Sequence, residues 1–306
     1  MSLFLGIDGG GTKTKITIIN EHNDIVFENV SGPSSIDTVS NDVTLKNINL
    51  ALKPYIENHP DCNFSGVFAG IGGIVFEEDC TQIELLLRTI PQIDKATPIL
   101  AKNDMYNALY SGNEYDKAMT LICGTGMVAF GINQKCIHKC GGWGFKEGEL
   151  GSGYHLGTEA IRHCIRAFDN RRDIDDFALE VAYSIDLHVA SDIIDIMEQY
   201  FGQRTKTAKL APIVTKHANL GNIFAREIVD FATKELALAV EAVYKTLQFN
   251  KVTLVIVGGL GNSDGYFKEK LHKHIKEISL NITIIEPIID PSLAAAFAAK
   301  RLGVNL

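Results

Sequence analysis

A glycine-rich segment near the start of the chain has the residue types of a phosphate-binding loop. A short apolar run is followed by Asp8, Gly9, Gly10, Gly11, Thr12, Lys13 and Thr14. The pattern predicts two antiparallel strands joined by a glycine turn, because glycine adopts the positive φ angles that close a hairpin. The amides of Gly10 and Gly11 can then approach an anion closely, and Thr12 and Lys13 add a hydroxyl and a charge. Asp8 is placed to hold a hydrated Mg²⁺ against the same phosphates. Taken alone, the segment is equally compatible with a purely structural turn.

A second glycine turn of the same kind lies near the middle of the chain. Gly124, Thr125 and Gly126 separate an apolar strand at 118–123 from a returning strand at 128–132. Two strand-end glycine loops can clamp the phosphates of a nucleotide between two lobes, and closure of the lobes excludes water. The recurrence is therefore a stronger signal than either turn alone.

The apolar periodicity predicts an α/β fold made of two ribonuclease-H-like lobes around an interlobe cleft. The first 110 residues show the order βββαβαβα, with the first helix ending near Pro54, and a similar order starts again at residue 118. We expect an N-terminal lobe at 1–116, a C-terminal lobe at 117–290, and a closing helix at 291–306 that belongs to the first lobe. A long amphipathic helix is predicted at 222–247.

Composition excludes several classes of function. The 306 residues carry a formal charge of −8 and no dense cluster of Lys or Arg, which argues against a nucleic-acid partner. No apolar run approaches the roughly 20 residues of a membrane span, and a strand begins too early for a signal peptide, so we expect a cytoplasmic protein. Six cysteines without framework spacing are expected to be reduced. Cys136, His138 and Cys140 have no second ligand pair, which disfavours a metal site there.

Phosphoryl transfer to a hydroxyl also needs a carboxylate that accepts the proton. Asp104 follows a predicted strand and opens a predicted helix, where the helix dipole favours its ionised form. This position is at the same time typical of an ordinary acid at a helix N-terminus, and position alone favours that simpler interpretation.

A long glycine-rich loop at 141–154 contains Trp143, the only tryptophan of the chain. An indole beside acids and amides suits a sugar, whose C–H face packs on the ring while its hydroxyls form hydrogen bonds. The alternative is a tryptophan that packs between the lobes. Gly258 and Gly259 follow an apolar strand and are candidates to support an adenosine, although such a pair is weak evidence by itself.

Together these segments resemble one family. Its motifs are similar to DGGGTKT at 8–14, NDMYNAL at 103–109, CGTGM at 123–127, GGWG and GELGSGY within 141–154, VGGLGN at 257–262 and DPSLAAAFAA at 290–299. The chain resembles the BadF/BadG-type ATPase and N-acetylglucosamine kinase family over its whole length, and hence the superfamily of sugar kinases, Hsp70 and actin. The resemblance implies an actin-like ATPase fold, ATP and Mg²⁺ as cofactors, and a homodimer.

The resemblance also implies roles for individual residues. Asp8 would organise Mg²⁺, and Asp104 would be the catalytic base, which reverses the interpretation from position alone. Nucleotide contacts would come from Gly10, Gly11, Thr12, Lys13, Gly124, Thr125, Gly126, Gly258, Gly259 and Asn262. The sugar would be bound by Ser35, Gly73, Asp104, Gly142, Trp143 and Glu149.

Departures from the family pattern fall on the sugar side. Members that phosphorylate N-acetylglucosamine usually carry Asn near Ser34 and Ser35, Ser at Met127, and Asp-Glu where this chain has Glu149 and Leu150. Each such change can alter substrate preference by ~1–3 kcal/mol. We therefore expect a kinase for N-acetylglucosamine or a relative such as N-acetylmuramic acid, glucosamine or glucose. An ATPase that activates a partner enzyme and a non-catalytic sugar sensor are the alternatives.

Overall fold

The computed structural model describes residues 2–147 and 149–304, so Gly148 of the glycine-rich loop and residues 305 and 306 of the closing segment lie outside the described residues. The chain forms two compact units. Unit 1 contains the residues up to Tyr115 together with those from Pro287 onward, and unit 2 extends from Asp116 to Glu286.

Unit 1 is built on a five-stranded mixed sheet. Its elements are β1 (Leu3–Gly9), β2 (Thr14–Asn20), β3 (Ile25–Ser31), α1 (Asn41–Asn58), β4 (Phe64–Ile71), α2 (Glu77–Leu87), β5 (Ile99–Lys102) and α3 (Met105–Tyr110). The strand order is β3-β2-β1-β4-β5, in which β1 pairs antiparallel with β2 and parallel with β4. The central strand β1 therefore ends, at Asp8 and Gly9, beside the start of β2 and the end of β4.

Unit 2 repeats this sheet with more helices around it. Its elements are β6 (Lys117–Cys123), β7 (Met127–Asn133), β8 (Cys136–Gly141), α4 (Gly153–Phe168), α5 (Asp176–Ser184), α6 (Ile193–Tyr200), α7 (Arg204–Ala208), α8 (Ala211–Asn219), α9 (Ile223–Thr246), β9 (Val252–Val257), α10 (Tyr266–Ile278) and β10 (Ile282–Ile285). The strand order is β10-β9-β6-β7-β8. An antiparallel hairpin flanks the central strand on one side and parallel strands lie on the other, as in unit 1.

The last helix, α11 (Pro291–Val304), packs on the sheet of unit 1. Its alanines allow a close approach, and the sheet supplies glycines opposite them. A Cβ on Gly6 would lie 2.2 Å from the backbone nitrogen of Ala296, and one on Gly66 would lie 2.4 Å from the carbonyl oxygen of Ala299. The chain thus returns to unit 1 after completing unit 2.

The predicted α/β fold of two similar lobes is confirmed, one local prediction was wrong, and two short helices were not predicted. The helix α1 does not end near Pro54 but continues to Asn58. The ring of Pro54 is exposed, while Ala51, Leu52 and Tyr55 are buried against the sheet, so burial of the apolar face outweighs the lost hydrogen bond. The short helices α7 and α8 were missed because neither presents a long apolar period.

Cys136, His138 and Cys140 all lie in β8. Within residues 2–147 and 149–304, no group of three or more His, Cys, Asp and Glu side chains is arranged to hold a metal ion. None of the described helices is both long and apolar enough to cross a membrane.

Candidate active site

Asp8 lies at the end of β1 and is held by Asn107 of α3. The Asn107 side-chain amide donates to the Asp8 carboxylate at 2.7 Å and lies 3.1 Å from the carbonyl oxygen of Ile7. Burial raises the pKa of Asp8, the hydrogen bond from Asn107 opposes this, and the charge of Asp290 raises the pKa further. Asn107 is fully buried, so α3 fixes the position of this carboxylate.

Asp104 is the centre of a second group of polar residues in unit 1. Gly72 has no side chain there, and a Cβ built on it would lie 2.4 Å from Ser35 Oγ and 3.2 Å from Asp104 Oδ2. The hydroxyl of Ser35 donates to Asp37 at 2.5 Å. A Cβ on Gly73, which has φ +83°, would lie 2.6 Å from the amide nitrogen of Asp37. The structure thus brings together the predicted residues Ser35, Gly73 and Asp104 and adds Asp37, which the sequence did not indicate.

The protonation of Asp104 is set by its surroundings. Burial raises the pKa of Asp104 to about 7, and the negative charges of Asp8 and Asp37 contribute in the same direction. Asp104 occupies the N-cap position of α3, and hydrogen bonds from the backbone amides of Met105 and of Asp104 itself oppose part of the rise in its pKa. A carboxyl with a pKa near neutrality can accept a proton at physiological pH and release it again.

The first glycine loop offers free amides at its tip. The amide of Gly10 donates to the carbonyl of Lys13 at 2.9 Å, and the carbonyl of Gly10 accepts from the amides of Ser34 and Ser35. Gly11, Thr12 and Lys13 are exposed. Their amides have no protein acceptor in the part of the chain that the structure describes. Three of the predicted nucleotide contacts are therefore available to an anion, whereas the amide of Gly10 is used to shape the turn.

Asp290 adds a further carboxylate near the end of β1. It accepts hydrogen bonds from the amide and hydroxyl of Ser292 and forms a salt bridge of 3.2 Å with Lys15. Lys15 also pairs with Glu28 at 3.0 Å. Burial by itself would raise the pKa of Asp290, but the hydrogen bonds from Ser292 and Lys15 lower it overall. Asp290 consequently stays ionised beside Asp8. The one sequence signal for this residue was its position as an acid directly before the last helix.

The second glycine loop is tied to the start of α4. The carbonyl of Gly124 accepts from the amide of Gly153 at 2.7 Å, and that of Thr125 accepts from the amide of Tyr154 at 3.1 Å. A Cβ on Gly153 would lie 2.9 Å from the carbonyl oxygen of Gly124, so the absence of a side chain permits this contact. Gly124 itself faces open space, since a Cβ there would meet nothing within 4 Å.

A cavity of about 560 Å³ opens beside this loop in unit 2. Its lining residues from the predicted set are Gly124, Thr125 and Gly259. Gly258 closes the turn after β9 with φ +110°, and a Cβ there would lie 2.4 Å from the carbonyl oxygen of Cys123. The side chain of Asn262 donates to the carbonyl of Ile256 at 2.9 Å and thereby secures the same turn.

The opposite wall of this cavity was missed by the sequence analysis. It is formed by residues of α7, α8 and their connection, namely Thr205, Ala208, Lys209, Ala211, Pro212 and Thr215. The helix α4 packs against this wall so closely that a Cβ on Gly157 would lie 2.0 Å from the carbonyl oxygen of Thr207. Pro212 near the start of α8 was the one local signal, because proline favours the first turn of a helix.

In the structure, the residues of unit 2 that were predicted to bind the sugar contact basic side chains of the protein itself. Trp143 is 68% exposed, and the ammonium of Lys139 lies 4.0 Å from the centre of its ring. The carbonyl of the neighbouring Gly142 accepts from the same lysine at 3.2 Å. Glu149 is buried and accepts two hydrogen bonds from Arg204, at 2.8 and 2.6 Å. The bidentate pair occupies both oxygens of Glu149, and nothing in its sequence neighbourhood pointed to Arg204.

The sequence of this chain matches one known protein family. The sequence profile of the BadF/BadG/BcrA/BcrD ATPase family matches residues 5–299. The chain belongs to this family. Both glycine loops, Asp104 and Asp290 lie within the matched residues.

Characterised relatives of similar length are sugar kinases. The N-acetylmuramic acid/N-acetylglucosamine kinase of Clostridium acetobutylicum is 28% identical over 311 aligned positions, which span 98% of this chain and 99% of the relative. The N-acetyl-D-glucosamine kinase of Dictyostelium discoideum is 27% identical and is matched over 97% of both chains. A provisionally assigned N-acetylglucosamine kinase from Chromobacterium violaceum has a solved structure that superposes with a TM-score of 0.77 at 18% identity, covering 97% of this chain and 98% of the other. This last likeness shows a shared fold.

Proposed function

We propose that this protein is an ATP-dependent sugar kinase that transfers the γ-phosphoryl group to a hydroxyl of N-acetylglucosamine or a close relative. The observation that carries the proposal is the carboxyl of Asp104, whose pKa is raised to about 7 beside Asp8 and Asp37. A sugar hydroxyl is a weak nucleophile, and a base poised near neutrality takes its proton as the new bond to phosphorus forms. The named activities of the full-length relatives support the same reaction.

The nucleotide is assigned to the residues around the glycine loops. Small residues on both walls of the 560 Å³ cavity leave space for the nucleoside, and Lys209 supplies a positive charge. The free amides of Gly11, Thr12 and Lys13 provide donors for phosphate oxygens. The family's description as ATPases supports ATP as the donor.

The residues of unit 1 suit a magnesium ion that completes its coordination with water and phosphate. Asp8 and Asp290 provide hard carboxylate oxygens, and the charge of Asp290 contributes to the raised pKa of Asp8. Their mutual repulsion is the kind that a bound cation relieves. Bound there, Mg²⁺ would neutralise charge on the phosphates. Asp8 and Asp290 would hold the ion, while Asn107 fixes the orientation of Asp8.

The sugar is assigned to Ser35, Gly73 and Asp104 of unit 1 and to Gly142, Trp143 and Glu149 of unit 2. Ser35 and Asp37 are already joined by a hydrogen bond beside Asp104, which favours a fixed hydroxyl-binding group. Glu149 differs because its two oxygens are engaged by Arg204. If Glu149 binds the sugar, the sugar would therefore contact the ion pair of Glu149 and Arg204 rather than a free carboxylate.

The direct test is ADP release by the purified protein with ATP and Mg²⁺. The panel of acceptors would be glucose, glucosamine, N-acetylglucosamine, N-acetylmuramic acid and N-acetylmannosamine. We expect ADP release that depends on one or two of the N-acetylated sugars, with the product phosphate on the sugar. Sugar-independent hydrolysis would contradict the proposal and favour an ATPase that acts on a partner. The cytoplasmic location and the homodimer stay predictions of the sequence.

A further inference from the structure

A second cavity in unit 2, of about 620 Å³, lies outside the residues assigned to nucleotide and sugar. One wall is a stripe of α4, in which Thr158, Arg162 and Arg166 follow one another at intervals of four residues. The facing wall is the apolar stripe of α9, formed by Phe224, Ile228 and Phe231 together with Glu227. We name this space the α4–α9 cavity.

The α4–α9 cavity is positively charged in an acidic protein. Its lining contains four cationic side chains, Lys146, Arg162, Arg166 and Arg172, and only two acidic ones, Glu159 and Glu227. The whole chain carries a formal charge of −8. A concentration of arginine in a concave site, against the overall charge, is the arrangement that recognises carboxylates and phosphates.

Two of the arginines, Arg162 and Arg172, are held in place largely by aromatic rings and a histidine rather than by carboxylates alone. Arg172 lies over the ring of Phe224 at 4.2 Å and donates to Nδ1 of His163 at 3.3 Å, while Nε2 of His163 lies 3.1 Å from Asp175. Arg162 pairs with Glu159 and lies over Phe201 at 5.8 Å. Aromatic contacts orient these guanidinium groups while leaving donors unused.

Arg166 and Thr158 are less engaged. Arg166 forms no salt bridge with any acid in the described parts of the chain, and its charge contributes only a minor part of the lowered pKa of Asp169. Thr158 is only 8% exposed, and its hydroxyl has no hydrogen-bond partner among the described residues. A buried hydroxyl without a partner destabilises the folded protein, and a ligand in the adjoining cavity can supply the missing hydrogen bond. Among the described residues, a cation without a salt bridge and a buried hydroxyl without a hydrogen-bond partner thus lie on one stripe of α4.

We propose that the α4–α9 cavity binds a small organic anion whose phosphoryl or carboxylate group is held by Arg166 and its neighbours and whose flat apolar part packs on Phe224, Ile228 and Phe231. The two walls suit the two parts of such a ligand. The first residues of α4, Gly153 and Tyr154, form hydrogen bonds with the second glycine loop, so this helix joins the cavity to the nucleotide residues. The inference does not depend on the kinase activity.

The test is isothermal titration of the whole protein with phenyl phosphate and with benzoate, which share a ring and differ in the anion. Inorganic phosphate and benzyl alcohol, each with only one of the two parts, are the comparison ligands. We expect a Kd of about 0.1–1 mM for at least one of the aromatic anions and at least 10-fold weaker binding of both comparison ligands. The preferred anion identifies the phosphoryl or the carboxylate class.

Variants locate the binding. Arg166→Gln removes an exposed charge without breaking an ion pair, and we expect it to weaken binding of the aromatic anion at least fivefold with an unchanged melting temperature. Thr158→Val should weaken it two- to fivefold. Lys251→Gln removes one exposed charge elsewhere in unit 2 and should leave binding unchanged. Equal binding by all variants, or phosphate binding as tightly as phenyl phosphate, would overturn the proposal. So would conversion of a dimer to a monomer by Arg166→Gln in size-exclusion chromatography, because the cavity would then be an interface between copies.

Discussion

The amide of Asn107 donates to the carboxylate of Asp8 at 2.7 Å and so connects α3 to the end of β1 across 99 residues of sequence. The same amide lies 3.1 Å from the carbonyl oxygen of Ile7 and 3.3 Å from that of Gly70. Asp104 immediately precedes α3. The proposed base therefore stands at the N-cap of the same short helix that positions the proposed metal-binding carboxylate.

Replacement of Asn107 by Leu should impair both stability and turnover. The variant removes the hydrogen bond that lowers the pKa of Asp8, so this pKa should rise further and more Asp8 should be protonated at pH 7. We expect a loss of about 1–3 kcal/mol in the free energy of unfolding and a higher Mg²⁺ concentration for half-maximal turnover. Denaturant melts and Mg²⁺ titrations measure the two effects. The matched variant is Asn103→Leu, which loses a contact with the carbonyl of Ile74 but none with Asp8. An identical shift in Mg²⁺ dependence for both variants would refute the role of Asn107.

Replacement of Asp104 by Asn should abolish most activity and stabilise the fold. We expect turnover to fall about 10²–10⁴-fold, while the Kd for ATP changes little. The folded protein raises the pKa of Asp104 from 3.8 to about 7, so this group opposes folding increasingly as pH rises through that interval. Asn carries no such charge, and the variant should be more stable than the parent by roughly 1–4 kcal/mol above pH 7. The difference should vanish below pH 4.

The same pKa sets the pH profile of the parent enzyme. The base must be ionised to act, so kcat/KM should increase with pH, reach half its maximum near pH 7 and level off above it. Asp37→Asn removes one of the charges that raise this pKa, and the acidic limb of the profile should then move to lower pH. Asp42→Asn, an exposed acid in the first turn of α1, serves as the control. A profile that is flat between pH 5 and 8 would eliminate Asp104 as the base.

Alanine at Gly124 should separate nucleotide binding from folding. Apart from Gly124 and its two chain neighbours, no atom of the described residues lies within 4 Å of a Cβ built there, so the fold should tolerate the methyl group. Gly124 lines the 560 Å³ cavity, where the methyl would stand in the way of a closely approaching phosphate. We expect the Kd for ADP to rise at least 10-fold, about 1.4 kcal/mol, with a melting temperature unchanged within about 2 °C. Calorimetric titration and thermal unfolding would measure both quantities.

Gly126→Ala provides the contrasting variant. A Cβ there would lie 1.9 Å from Nη2 of Arg204 and 2.8 Å from Oε1 of Glu149. The methyl group must displace this ion pair, so the variant should lose stability. If Gly124→Ala bound ADP as tightly as the parent, the assignment of this loop to phosphate would be wrong.

The pair formed by Glu149 and Arg204 should be strongly coupled. Glu149 is 1% exposed and Arg204 is 39% exposed, so solvent screens the arginine in part. Arg204→Gln leaves a buried carboxylate without its cation and should cost about 1–3 kcal/mol of unfolding free energy. Glu149→Gln should cost less, because Arg204 can still reach water. A double-mutant cycle by urea denaturation gives the coupling energy, and a value near zero would show that the contact does not contribute to stability.

Much of the framework was accessible from the sequence because its signals are local. Residues 3–19 and 118–132 each contain an apolar run, a glycine turn and a returning strand, and the strands observed there agree with that pattern. The long helix α9 was expected from its apolar period. The continuation of α1 through Pro54 was not, because burial of one face depends on the sheet beneath it. The short helices α7 and α8 escaped for a similar reason, and with them one wall of the nucleotide cavity.

The sequence by itself determined which residue types end the central strands: an acid and a glycine at the end of β1 with two more glycines after it, and a Gly-Thr-Gly turn after β6. Only the tertiary structure decided how these residues behave. The raised pKa of Asp104 arises from burial and from the charges of Asp8 and Asp37, which are distant in sequence. Likewise, Glu149 meets Arg204 across 55 residues. Local propensity is encoded in neighbouring residues, whereas desolvation and ion pairing depend on side chains that only the packed fold brings together.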